Sequence, residues 1–144
     1  MIFCDISILG EDGCIHEGKY VEVKGDKVSF IGDAPPPDGG GRRYSGKGKL
    51  LMPGFYNAHA HSPMTLLRGY GENLALQDWL NTRIFPFEAK LDGKAVYWGT
   101  LLAMAESMRF GIVSSTDMYD YCGDMAEAVL ESGMKANISR GVLC

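Results

Sequence analysis

Leu51-Met52-Pro53-Gly54-Phe55-Tyr56-Asn57-Ala58-His59-Ala60-His61 is the stretch on which the reading of this chain turns. Its apolar lead-in, set off by Pro53-Gly54, predicts a short buried strand. On a strand residues i and i+2 point the same way, so His59 and His61 project side by side. Two neutral imidazoles on one face can hold one metal ion, since imidazole is a common ligand for zinc and other borderline metals. The same spacing also suits two strand-end histidines satisfied by hydrogen bonds or solvent, so the surrounding sequence has to decide.

Upstream, the chain reads as β-structure. Ile2, Ile6, Ile8 and Leu9 mark a first strand that ends at Gly10. Residues 19–24 and 27–31 flank Gly25-Asp26, a two-residue hairpin turn in which Gly supplies the positive φ. Alternation there sets Tyr20 and Glu22 against Val21 and Val23, with one of the two faces buried. His16 falls in a polar loop over residues 11–18 and is expected at the surface without a metal. Residues 33–43 hold three prolines and three glycines, which predicts an exposed loop, with Arg42-Arg43 solvated. Strand character returns over residues 44–51.

Downstream, the period changes to that of helices alternating with strands. Leu76, Trp79 and Leu80 stand at helical spacing, and Pro86 is expected to interrupt before Phe87-Glu88. Asp92 is a candidate N-cap for a long helix whose apolar face is read as Trp98, Leu101, Leu102, Ala105 and Met108, closed by Gly111. Residues 112–116 form a second strand. Asp124-Met125-Ala126-Glu127 has the spacing of a capping box for a helix that stops at Gly133, and residues 135–142 form a third strand. Asp117 and Asp120 read as turn and capping residues. Strands at His59, Thr116 and Ile138 separated by helices are the signature of βα units feeding a parallel sheet.

Composition bounds the function. The 144 residues are 46% hydrophobic and 22% charged, with a formal net charge of -4. Mild acidity disfavours a nucleic-acid or anionic-membrane partner, which would want a basic face, and small neutral or zwitterionic ligands fit better. The start Met1-Ile2-Phe3-Cys4-Asp5 lacks a signal segment, and no run approaches the roughly 20 apolar residues of a membrane span. A cytoplasmic protein is expected. The scattered Cys4, Cys14, Cys122 and Cys144 are expected as reduced thiols.

Pro53-Gly54, Asn57, the two histidines and the run Ser62-Pro63-Met64-Thr65-Leu66-Leu67-Arg68-Gly69 together resemble the entry to the amidohydrolase superfamily barrel. Within it the chain looks closest to the deaminases of S-adenosylhomocysteine and methylthioadenosine, with the triazine chlorohydrolase group nearby. The resemblance implies an α/β fold: the amino-terminal part of a (β/α)8 TIM barrel of the metal-dependent hydrolase type, preceded by strands of a small β-sandwich. Residues 1–52 would be the sandwich half-domain and residues 53–144 the first two to three βα units, because a whole barrel needs about 250 residues.

The resemblance also implies one divalent metal ion, zinc first and iron second, held by His59 and His61 together with ligands from later strands. The general acid/base glutamate likewise comes from later sequence, so no catalytic residue is assigned in this span. Glu88 matches the glutamate that meets the ribose hydroxyls, Arg140 the arginine that faces a substrate carboxylate, and Trp79 a tryptophan near the pocket mouth. In that chemistry the metal lowers the pKa of water from about 15.7 to about 7, and hydroxide displaces ammonia from an electron-poor ring carbon. The implied activity is hydrolytic deamination of adenosine-type thioethers, a purine nucleoside-like substrate. Other amidohydrolase chemistry, such as triazine dechlorination or guanine or cytosine deamination, is the alternative. A chain inactive on its own is the reading from a different class, and a half barrel with exposed strand edges implies a homo-oligomer.

Overall fold

The computed structural model describes residues 1–37 and 39–141. The chain divides into two compact units, Met1–Pro53 and the segment from Gly54 onward. Cys4, Cys14 and Cys122 are free thiols, while Cys144 and Val142 lie outside the described residues. Among the described residues no helix is long and apolar enough to cross a membrane.

The first unit is a five-stranded sheet. Strand β1 (Ile2–Leu9) pairs antiparallel with β2 (Ile15–Lys24) and parallel with two short strands, β4 (Arg43–Ser45) and β5 (Leu50–Leu51); β2 also pairs antiparallel with β3 (Lys27–Gly32). The β2–β3 turn is the two-residue hairpin expected, with Gly25 at φ 62°. Two expectations need correction. Strand β2 starts at Ile15, so His16 lies in a strand paired with Ile8, and its Nε2 sits 3.2 Å from the Asp12 carboxylate at the surface. The alternation in β2 also fails, because the β2–β3 register shifts between Glu22 and Val23 and both Val21 and Glu22 are buried. Ser29 Oγ donates to Glu22 at 2.8 Å, which satisfies the buried carboxylate and lowers its pKa, with Lys24 adding to the effect.

The second unit is built on three parallel strands in the order β6 (Phe55–Ala60), β7 (Ile112–Met118) and β8 (Lys135–Ser139). After β6 come a 3-10 segment (Ser62–Leu67), a helical run of residues 76–88, and the long helix α3 (Gly93–Arg109). Helix α4 (Cys122–Ser132) joins β7 to β8. The core lies where α3 and α4 cover the sheet: Ala103, Met104 and Val129 pack together against Met134, Ala136 and Ile138.

Four local readings are corrected here. The lead-in of β6 is not buried: Phe55 and Tyr56 are exposed, because among the described residues β6 pairs only with β7. Pro86 does not interrupt the helical run. Helix α1 (Leu76–Trp79) widens into a π segment (Leu80–Ile84) and returns to α geometry in α2 (Phe85–Glu88). The Phe85 N–H bonds to the Leu80 carbonyl five residues back, so the turn next to Pro86 is re-formed at wider spacing.

In α3 the N-cap is Asp92 as expected, accepting from Ala95 N–H at 2.8 Å. Its buried face, however, is Val96, Gly99, Thr100, Ala103 and Met104, while Trp98 is 55% exposed and Leu102 and Met108 also face outward. The helix is apolar on most sides, so the spacing alone could not choose. Close approach chose: a Cβ on Gly99 would stand 2.8 Å from the Pro63 carbonyl oxygen, and Thr65 Oγ1 donates to the Gly99 carbonyl at 2.7 Å. Lastly, α4 begins two residues before the expected box. Its N-cap is Tyr121, in the left-handed region at φ 55°, and Asp124 lies in the first turn, where its charge suits the helix dipole.

Candidate metal-binding strand end and adjoining pocket

His59 lies on β6 and His61 one residue past it, so the strand's alternation delivers both rings to its carboxyl end. Their Nε2 atoms are 3.2 Å apart and the rings meet edge to face, with centroids 4.8 Å apart. Two nitrogens of a tetrahedral zinc site, each about 2.0–2.1 Å from the ion, lie roughly 3.3 Å apart, so the pair has the bite that zinc needs. The protonation pattern fits too. His61 Nδ1 stands 2.7 Å from the Met118 carbonyl oxygen, which can only accept, so Nδ1 carries the proton and Nε2 keeps its lone pair toward His59. Among the described residues no third His, Cys, Asp or Glu joins the pair.

The chain around His61 is held by a residue the sequence reading missed. Asp117, 2% exposed, belongs to β7 and is no turn residue. Both of its carboxylate oxygens accept from the Ser62 N–H, at 3.1 and 3.3 Å. Strand β7 thus grips the His-bearing segment twice, through the side chain of Asp117 and the carbonyl of Met118. A signal was present: an aspartate inside a run of strand formers is disfavoured unless it has a buried partner.

Beside His61 opens a cavity of 260 Å³ lined by His61, Met64, Trp79, Leu80, Ile84, Phe85, Glu88, Met118 and Tyr119. Its walls are mostly apolar, with His61, Glu88 and Tyr119 as the ionisable groups. Trp79 and Glu88 reach it from the helical run of residues 76–88, and Tyr119 from the end of β7. The Tyr119 hydroxyl donates to Glu88 Oε1 at 2.6 Å. Burial, and then the neighbouring Glu88 carboxylate, push the phenol well above its ordinary pKa.

Arg140 is not among the residues of this cavity. It follows β8 and lines a separate concavity with Asp120, Tyr121 and Cys122, its Nε 3.5 Å from the Asp120 carboxylate. Their side chains are 76% and 69% exposed. Asp120 is an exposed loop residue between β7 and α4.

The chain is similar to known proteins along most of its length. Over 139 residues, 96% of the chain, it is 39% identical to a 5-methylthioadenosine/S-adenosylhomocysteine deaminase of Syntrophomonas wolfei, of which it spans 32%. It is 51% identical over 98 residues, 68% of the chain, to a 5'-deoxyadenosine deaminase of Methanospirillum hungatei, of which it spans 22%. Among solved structures, an adenosine deaminase from Xanthomonas campestris with bound zinc matches 94% of the chain and 32% of its own length, at 28% identity and a TM-score of 0.74. An atrazine chlorohydrolase from Arthrobacter aurescens complexed with zinc shares the fold over 96% of the chain and 35% of its own, at 17% identity and a TM-score of 0.83. The chain therefore spans about a third or less of these relatives and is an amino-terminal part of a fold of the TIM-barrel type. Residues 50–143 match the model of the amidohydrolase family, a span that takes in the histidine strand, the pocket and all three parallel strands, and the chain belongs to that family.

Proposed function

We propose that this chain supplies the first metal-binding strand and one wall of the substrate pocket in a zinc-dependent hydrolytic deaminase of adenosine-type nucleosides, the methylthioadenosine, S-adenosylhomocysteine and 5'-deoxyadenosine class. The observation that carries the reading is the His59–His61 pair, with its Nε2 atoms 3.2 Å apart and its tautomer set by the Met118 carbonyl, opening onto a mainly apolar cavity that contains Glu88 and Trp79. The names of relatives at 39% and 51% identity support the nucleoside class. The remaining ligands and the proton-transferring glutamate are assigned to the part of the barrel beyond this span.

Bound zinc supplies Lewis acidity and brings the ionisation of water near neutral pH. The chain's own residues do the rest. His61, with its proton held on Nδ1, presents a fixed lone pair and needs no reorganisation. Asp117 and Met118 keep that ring at the strand end. The apolar wall formed by Met64, Leu80, Ile84 and Phe85 excludes water from a flat base, and Trp79 offers it an aromatic surface. Glu88 accepts hydrogen bonds from the sugar hydroxyls. Arg140 is proposed to meet the carboxylate of an amino-acid-bearing substrate, which requires it to leave Asp120; an exposed pair at 3.5 Å gives way at little cost.

The test is ammonia release from S-adenosylhomocysteine, 5'-methylthioadenosine and 5'-deoxyadenosine by the protein in which this chain is joined to the remaining barrel strands, with zinc content measured on the same sample. Turnover that needs zinc, and is lost in His59→Ala, is the expected result. A folded, zinc-bound protein that acts on free bases or triazines but on none of the three nucleosides would sink the reading.

A further inference from the structure

Tyr119 lines the pocket from the end of β7. Its backbone is tied to the sheet, with its N–H donating to the Ser139 carbonyl at 3.2 Å. Its hydroxyl donates to Glu88 Oε1 at 2.6 Å, and the ionised carboxylate can only accept, so the direction of the bond is fixed. Burial and the charge of Glu88 keep the phenol protonated far above neutral pH, so the donor persists. Two residues on, Tyr121 donates to the Leu91 carbonyl at 3.2 Å. The loop after β7 therefore holds the chain at Glu88 and again just beyond it.

A glutamate side chain has three rotatable bonds, and a free one samples many orientations. With Oε1 bonded to Tyr119, those torsions are pinned, and Oε2 is the oxygen without a hydrogen-bond partner among the described residues. We infer that Tyr119 is a positioning residue: by fixing Glu88 it makes the cavity select ligands that carry a hydroxyl donor next to a flat apolar group, the arrangement of a ribonucleoside. This rests on Glu88 meeting the ligand's hydroxyls as proposed above. A hydroxyl can donate to Oε2, whereas a methylene cannot, and a phosphate placed there would face a like charge.

The test compares adenosine with 2',3'-dideoxyadenosine, which lacks the hydroxyls, in the complete zinc-loaded protein and its Tyr119→Phe, Glu88→Gln and doubly substituted forms. Selectivity is read both as the ratio of kcat/KM values and as the ratio of Kd values from calorimetry. Tyr119→Phe should lower the preference for adenosine about tenfold, the loss expected when a hydrogen bond to a charged group is removed. Glu88→Gln should lower it at least as far, and adding Tyr119→Phe to that variant should change nothing more, because both act through one carboxylate. Glu88→Asp keeps the charge but withdraws it from Tyr119, and should reproduce the effect of Tyr119→Phe. If Tyr119→Phe weakens both nucleosides equally, if its effect persists in full on Glu88→Gln, or if Glu88→Asp leaves selectivity intact, Tyr119 is structural and the inference falls alone. If the unaltered protein acts on none of S-adenosylhomocysteine, 5'-methylthioadenosine and 5'-deoxyadenosine, the deaminase reading falls and takes this inference with it; if it acts on those but does not prefer adenosine to 2',3'-dideoxyadenosine, the inference falls alone.

Discussion

Two groups of ionisable side chains gather at the strand ends of the second unit, and they are built differently. At the ends of β6 and β7, His61, Asp117, Met118, Tyr119 and Glu88 take part in hydrogen bonds of 2.6–3.3 Å, and Asp117 is almost wholly buried. At the end of β8, Arg140 and Asp120 face each other at 3.5 Å with most of both side chains in water. The first end holds its geometry before any ligand arrives. The second is an exposed ion pair worth little, free to exchange its partner. Under the proposed function, the pre-set site would take the shared part of a substrate and the adaptable one the part that varies.

The largest effect should come from the buried carboxylate. Asp117→Ala leaves the Ser62 N–H without its partner inside the protein and is expected to cost about 3 kcal/mol in urea unfolding, while Asp117→Asn, which keeps one accepting oxygen, should cost roughly half of that. An unchanged midpoint for Asp117→Ala would erase the contrast between the two ends. Next is His61→Ala, expected to weaken zinc binding by at least about a hundredfold, roughly 2.7 kcal/mol, in competition with a chromogenic chelator. Equal zinc affinity before and after would remove His61 from the metal site.

Tyr119→Phe should be milder, about 1 kcal/mol at neutral pH, since the pocket is partly open to water. Its signature is in the alkaline limb. The folded chain holds the phenolic proton more tightly than the unfolded one, so the stabilisation is whole below about pH 10 and is lost as the pH climbs past the ordinary tyrosine range. Unfolding midpoints at about pH 8 and about pH 11 should therefore diverge more in the unaltered protein than in Tyr119→Phe, and parallel curves would count against it. Smallest of all, Arg140→Ala should change stability by less than about 0.5 kcal/mol, and less still in high salt. It should nonetheless raise KM for S-adenosylhomocysteine and not for 5'-methylthioadenosine. A loss on both substrates would mean that the β8 end is as rigidly set as its neighbour.

What is legible in the sequence follows the same division. The histidine pair, the parallel βα order, the Asp92 cap and the Gly133 stop, at φ 73°, each depend on a few neighbouring residues whose conformational demands are strong, and each stands in the structure. The links between elements are not legible. Asp117 looks like a turn former because nothing nearby in sequence announces that Ser62, 55 positions away, needs its carboxylate. Tyr119 is silent for the same reason, its partner being 31 positions off. The inner face of α3 is misread because the Ser62–Leu67 segment meets the helix at Gly99, where a Cβ would stand 2.8 Å from the Pro63 carbonyl oxygen, and a glycine at helical spacing does not announce a buried side. Helix α4 carries the right residue types near its start but begins at an unexpected residue, since a tyrosine in the left-handed region is not what local propensity favours.

The wide turn at Leu80–Ile84 has a consequence for how such a chain can change over generations. A π segment amounts to one residue too many for an α-helix, and each α-helical residue turns the chain by about 100°. Loss of a single codon there would restore an unbroken helix and leave most of the side chains in the cavity chemically intact. It would leave Glu88 facing much as it does now relative to Trp79, because the wide turn absorbs the extra residue and does not rotate the chain beyond it, so this segment could gain or lose that residue by one in-frame change without re-aiming the cavity wall.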